Sequence, residues 1–74
     1  MAGATLLNGL FGRRLKEFRE AARMSEAELA SRIGQDIARV NEMEMGGKIA
    51  SAMELWDICI ALDVEPHEFF VDTR

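Results

Sequence analysis

At 74 residues, with 9 Lys plus Arg against 13 Asp plus Glu and a net charge of -4, the chain has room for one small core and no second. A core of this size supplies only about 3–5 kcal/mol, so disulfides, a metal, tight helix packing or self-association must add to it. The single cysteine, Cys59, excludes an internal disulfide, and Cys59 with the single histidine, His67, is too little for a zinc site; no metal or cofactor is expected, and helix packing and self-association remain.

The run from Ala2 to Phe11 is apolar in parts, but no cation precedes it and no small-residue cleavage site follows before Arg13 and Arg14, so it does not read as a signal peptide. No stretch approaches the roughly 18 apolar residues of a membrane span. The expectation is a cytoplasmic protein with no membrane partner. Residues 1–10 are set apart as an arm. Met1 to Asn8 reads as a frayed terminus, the commoner outcome for a chain end; the alternative is that Leu6, Leu7 and Leu10 extend the first helix into an amphipathic arm against a partner subunit.

The domain itself is expected over residues 11–71, with 72–74 as a tail. The first helix runs from about Leu10 or Gly12 to Ala22, with Phe11, Leu15, Phe18 and Ala22 on one stripe, and Met24 leads into a turn. Ser25 caps a second helix, with Glu28 at the capping-box position, and Gly34 ends it. Asp36 caps a third from Ile37 to about Met45, which Gly46 and Gly47 stop. Ser51, with Glu54 three residues on, opens a fourth that runs to about Leu62. Pro66 suits the first position of a closing helix through Phe70. Alternation of period two is absent, so the fold is expected to be all-α with five short helices.

Two helices crossing at about 90 to 120 degrees through a three- or four-residue turn need a small residue at the crossing, one that tolerates a left-handed turn, and apolar residues facing back. Ala30, Gly34, Val40 and Met43 meet those needs in order. This spacing resembles the helix-turn-helix of the phage repressor and Cro type, the XRE-like family. The resemblance runs without a gap from Phe11 to Phe70, about four fifths of the chain. It comprises Phe11-Gly12-x-Arg14-Leu15-x-x-Phe18-Arg19, Met24-Ser25-x-x-Glu28-Leu29-Ala30-x-x-Ile33-Gly34, Val40-x-x-Met43-Glu44-x-Gly46, Leu55-x-x-Ile58-x-x-Ala61-Leu62-x-Val64 and Glu68-Phe69-Phe70.

The resemblance implies double-stranded DNA as partner, with the third helix in the major groove and phosphates held by the second helix's N-terminus and the loop after the third. It places Ser25, Glu26, Gln35, Ile37, Ala38, Arg39, Asn41, Glu42 and Lys48 at the DNA, with Arg13 and Arg14 left for the backbone. Asn41 suits adenine, Glu42 the amino group of cytosine, and Ile37 or Ala38 a thymine methyl. It also implies an ion pair between Arg19 and Glu44, tying the first helix to the third. The family commonly carries glutamine, serine, threonine or arginine where this chain has Ile37, Ala38 and Glu42, a polar phosphate neighbour at Glu26, polar residues at Met45 and Ile49, and proline at Ala50. DNA affinity per subunit is therefore expected to be low. A module repurposed for protein binding through Ile37, Ala38, Met45 and Ile49 stands as the alternative.

Bulk acidity argues against a nucleic-acid partner, because Lys and Arg supply most nonspecific affinity. Through Lys48, however, there are 8 basic and 7 acidic residues, against 1 and 6 after it, so the acidity belongs to the last third.

On the fourth helix Leu55, Ile58, Cys59 and Leu62 make a core stripe. Met53, Trp56 and Ile60 make a second stripe where a solvated face would carry charge. With Phe70 and Val71 it reads as a homodimer contact, which a small regulator needs to span two half-sites one DNA turn apart; the other reading folds Trp56 over the edge of the core. Cys59 reads as a buried hydrophobe and His67 as a solvated residue. Glu26 and Glu28, like Glu42 and Glu44, sit two apart and share no helix face, and no phosphate loop or nucleophile motif occurs, so no catalytic residue is expected.

Overall fold

The computed structural model describes residues 2–71, with side chains described for residues 6–71. The tail expected at 72–74 lies outside the described residues. Four α-helices, α1 (Ala2–Ala21), α2 (Glu26–Ile33), α3 (Ile37–Glu44) and α4 (Ala52–Leu62), are followed by one 3₁₀ turn over Pro66–Phe69. The fifth helix of the sequence reading is that 3₁₀ turn. Its backbone bonds span three residues, Glu68 N to Glu65 O and Phe70 N to His67 O at 3.0 Å each, and the Glu68 carboxylate takes the Glu65 N–H at 2.8 Å.

The beginning of α1 also departs from expectation. It starts at Ala2 rather than near Leu10 or Gly12, so residues 2–8 are helical and not frayed. Ala2, Ala4, Leu6 and Leu7 are strong helix formers that offset the weaker Gly3, Asn8 and Gly9. The extension also has a support. The backbone of Gly9 lies so close to the loop after α3 that a Cβ on Gly46 would sit 3.4 Å from the Gly9 Cα. Gly46 has a φ of 81°, and that left-handed turn is what favours glycine there. At its other end α1 stops at Ala21, because Arg23 takes a φ of 61°, and Ala22 is exposed rather than part of the core stripe.

The caps account for the other boundaries. Ser25 Oγ accepts from Glu28 N at 3.0 Å, but the reciprocal half of a capping box does not form; the Glu28 carboxylate lies 3.5 Å from Arg32 instead. Gly34, at φ 70°, closes α2. Asp36 Oδ1 accepts from Arg39 N at 2.9 Å to open α3. Ser51 and Glu54 form the full box at the start of α4, at 2.9 and 3.2 Å.

The core joins Phe11 and Leu15 of α1, Leu29, Ala30 and Ile33 of α2, Val40 and Met43 of α3, Ile58, Cys59 and Leu62 of α4, and Phe69. Leu55 packs against it, partly buried. Phe69 anchors the closing turn between Phe11, with ring centroids 5.1 Å apart, and the edge of Phe18 at 5.2 Å. The closest backbone approach is at Gly12. A Cβ there would fall 2.4 Å from the carbonyl oxygen of Met43 and 2.8 Å from that of Glu44, so only glycine lets α1 lie against the end of α3. None of the described helices is long and apolar enough to cross a membrane.

Candidate nucleic-acid interface

The short turn Gly34-Gln35-Asp36 joins α2 to α3. The Gln35 N–H reaches back to Ala30 O at 2.9 Å, while Leu29, Ala30, Ile33, Val40 and Met43 turn inward. One face of α3 is thereby buried and the other left outward. Gln35, Ile37, Ala38, Asn41, Met45 and Lys48 are exposed and Glu42 is half-buried. Gln35, Asp36, Ala38, Arg39, Asn41, Glu42, Met45 and Gly47 line a shallow open groove along that face. From the start of α2 the Glu26 carboxylate joins it, accepting from Asn41 Nδ2 at 3.4 Å, and Ser25 lies exposed beside it with its hydroxyl committed to the cap.

What aims this face is an ion pair at the far end of α3. Arg19 of α1 donates from Nε to Glu44 Oε2 at 2.6 Å and from a terminal nitrogen to Glu44 Oε1 at 3.1 Å. Its third donor takes the Met24 carbonyl at 2.8 Å. Both side chains are buried, at 10% and 4% exposure. The Glu44 hydrogen bonds raise the Arg19 guanidinium above its ordinary value despite the opposing effect of burial. A two-pronged planar contact of this kind fixes angle as well as distance.

The family model for the helix-turn-helix matches residues 15–69. The chain belongs to the XRE-type helix-turn-helix family. Among solved structures, the domain is similar to the restriction-modification controller protein C.AhdI from Aeromonas hydrophila, at 35% identity over 89% of this chain and 96% of that one, with a TM-score of 0.83. It is also similar to the clp gene regulator ClgR from Corynebacterium glutamicum, at 26% identity over 86% of this chain and 68% of that one, with a TM-score of 0.82. No curated protein sequence matches it. Membership of this helix-turn-helix family makes the chain a DNA-binding regulator.

Three residues of the sequence reading sit differently in this helix-turn-helix domain. Arg39, expected at the DNA, sends its guanidinium to α4. It donates to Glu54 Oε2 at 2.8 Å and Oε1 at 2.6 Å, with weaker 3.4 Å contacts to Glu42 and to the Ile49 carbonyl. That bond holds the Glu54 carboxyl down to about 2, so the pair is ionised throughout the neutral range. The sequence signal was present in Glu54, but its capping-box position had already accounted for it. Arg14, expected to face phosphate, pairs with Glu17 at 3.1 Å and donates to the Val71 carbonyl at 2.7 Å. Phe70, expected in the dimer stripe, keeps 37% of its surface exposed while stacking on Phe11 with centroids 6.0 Å apart.

On α4, Met53, Trp56 and Ile60 are 70%, 62% and 66% exposed. Trp56 therefore does not fold over the core edge. Cys59 is buried, and burial pushes its thiol up, away from the reactive thiolate. His67 is exposed, and among the described residues no cluster of His, Cys, Asp and Glu is arranged to hold a metal ion.

The Arg19 and Glu44 geometry sets a coupling energy. In a double-mutant cycle with Arg19→Met and Glu44→Gln, measured by urea unfolding, the two changes should interact by about 0.5–3 kcal/mol. A coupling near zero would show that the pair does not hold α1 to α3.

Proposed function

We propose that the protein is a non-enzymatic transcriptional regulator acting in the cytoplasm, binding double-stranded DNA as a homodimer with α3 of each subunit in the major groove. The observation that carries this reading is the outward face of α3, held at a set angle by Arg19 and Glu44 and flanked by the start of α2. Gln35, Ile37, Ala38, Asn41 and Glu42 face the bases: Asn41 reads adenine, Glu42 accepts from cytosine, and Ile37 or Ala38 meets a thymine methyl. Backbone N–H groups at the start of α2, beside Ser25 and Glu26, with exposed Lys48 and Arg13, hold phosphate. Regulation follows by occluding or recruiting at a promoter.

Dimerisation supplies what one subunit lacks. Glu26, Asp36 and Glu42 on this face oppose phosphate, so one copy binds weakly and two half-sites must be held together. The exposed Met53, Trp56 and Ile60 stripe on α4 provides an apolar contact for a second copy. The same acidity supports one other reading, a protein-interaction module using Ile37 and Met45, which are 50% and 78% exposed, as its docking face.

Fluorescence anisotropy with mixed duplex DNA separates the two readings. A DNA regulator should bind at about 50 mM salt and lose affinity steeply by about 200 mM; no binding at tens of micromolar protein at the lower salt contradicts it. For the dimer, sedimentation should show the parent as a dimer and Trp56→Ala dissociating; an unchanged mass for the variant places the interface elsewhere.

A further inference from the structure

Arg39 is the only cation on α3, and it lines the groove on the outward face beside Ala38, Asn41 and Glu42. Its guanidinium nevertheless leaves that surface. Two short hydrogen bonds commit it to Glu54, whose side chain is 12% exposed, while the contact to Glu42 on the groove side is a single long one, with Glu42 43% exposed. The two carboxylates thus compete for one arginine, and the inner one holds it. Glu54 is itself fixed, because its Oε1 accepts the Ser51 N–H in the cap of α4.

We infer that Glu54 is a positioning residue that withholds Arg39 from DNA, limiting sequence-independent binding to phosphate while bracing α3 against α4. The inference rests on the DNA-binding reading above and adds a restraint to it. A guanidinium matches phosphate with a two-pronged fork of donors, and one free on the reading helix would raise affinity for any duplex. With Arg39 latched, discrimination is left to residues that contact base edges, Asn41 and Glu42 among them. Neutralising Glu54 leaves Glu42 as the remaining carboxylate partner of Arg39, and Glu42 lies on the groove.

The test uses salt-dependent anisotropy of the full chain with mixed duplex DNA. Glu54→Gln keeps the shape and the cap acceptor but loses the charge. Its affinity should exceed the parent's, and the ratio should be about threefold larger at 50 mM than at 200 mM salt for each guanidinium that newly reaches a phosphate. Arg39→Gln should leave the parent's salt slope unchanged, and Arg39→Gln with Glu54→Gln should abolish the gain. Asp63→Asn, which neutralises an exposed acid at the other end of α4 and suits its left-handed φ of 58°, controls for bulk charge.

Equal gains in Glu54→Gln and Asp63→Asn, or no gain in Glu54→Gln, overturn the inference. So does a flatter slope in Arg39→Gln, which would mean that Arg39 already reaches phosphate. If circular dichroism shows Glu54→Gln unfolded, the Arg39→Gln slope decides alone. A parent that binds no duplex at 50 mM salt overturns the DNA-binding reading along with this one, whereas a binding parent with any of the other contrary results overturns only the latch.

Discussion

The contact between Arg19 and Glu44 is the constraint on which the reading face depends. α3 is only eight residues long, and a helix that short has little stability of its own. Val40 and Met43 bury one side of it but leave rotation and tilt to be set by something directional. The two-pronged guanidinium contact supplies that direction, and Gly12 makes it reachable by letting α1 close to backbone distance on the same turn. Breaking a buried pair by removing one partner costs about 3–5 kcal/mol, comparable to the whole stability expected of a core this small. Much of that cost is the charge left unpaired, so the contact serves to fix the angle of α3 against α1 more than to add net stability.

The same economy governs the other charges. Counted through Lys48 the chain is close to neutral, yet Arg14, Arg19, Arg32 and Arg39 are all paired with carboxylates inside the domain. Arginine is spent on holding helices together: α1 to α3 through Arg19, and α3 to α4 through Arg39. The exposed cations left around the DNA-facing side are few, while Glu26, Asp36 and Glu42 remain at the groove. In the proposed dimer the apolar stripe on α4 would join two such sites, and linking two weak sites raises the effective concentration of the second.

Much of this is written in local sequence. Ala30, Gly34, Val40 and Met43 mark the turn because the crossing of two helices demands those residue types at those intervals, and the caps at Ser25, Asp36 and Ser51 were visible from local chemistry alone. The features that local sequence does not announce have nonlocal causes. The helical start of α1 lies against the loop at Gly46, which is distant in the chain from Gly9. The capture of Arg39 by Glu54 joins residues fifteen apart, and neither residue's neighbours in sequence announce the other. The obligation for glycine at position 12 comes from carbonyl oxygens at the end of α3. The closing segment shows the limit of a local rule, since Pro66 correctly marks a helical start but Phe69 is pinned within four residues, before a full α-helix can form.

In the proposed regulator α3 and its flanks, and not α4, form the surface that meets DNA. Amide NMR of the protein titrated with duplex DNA tests it most directly, with the single tryptophan indole of Trp56 as an internal reporter for α4. Shifts are expected to concentrate at residues 25–28, 35–42 and 45–49, with the Trp56 indole unmoved once the proposed dimer is saturated. Shifts centred on Met53, Trp56 and Ile60, with residues 35–42 unchanged, would contradict it.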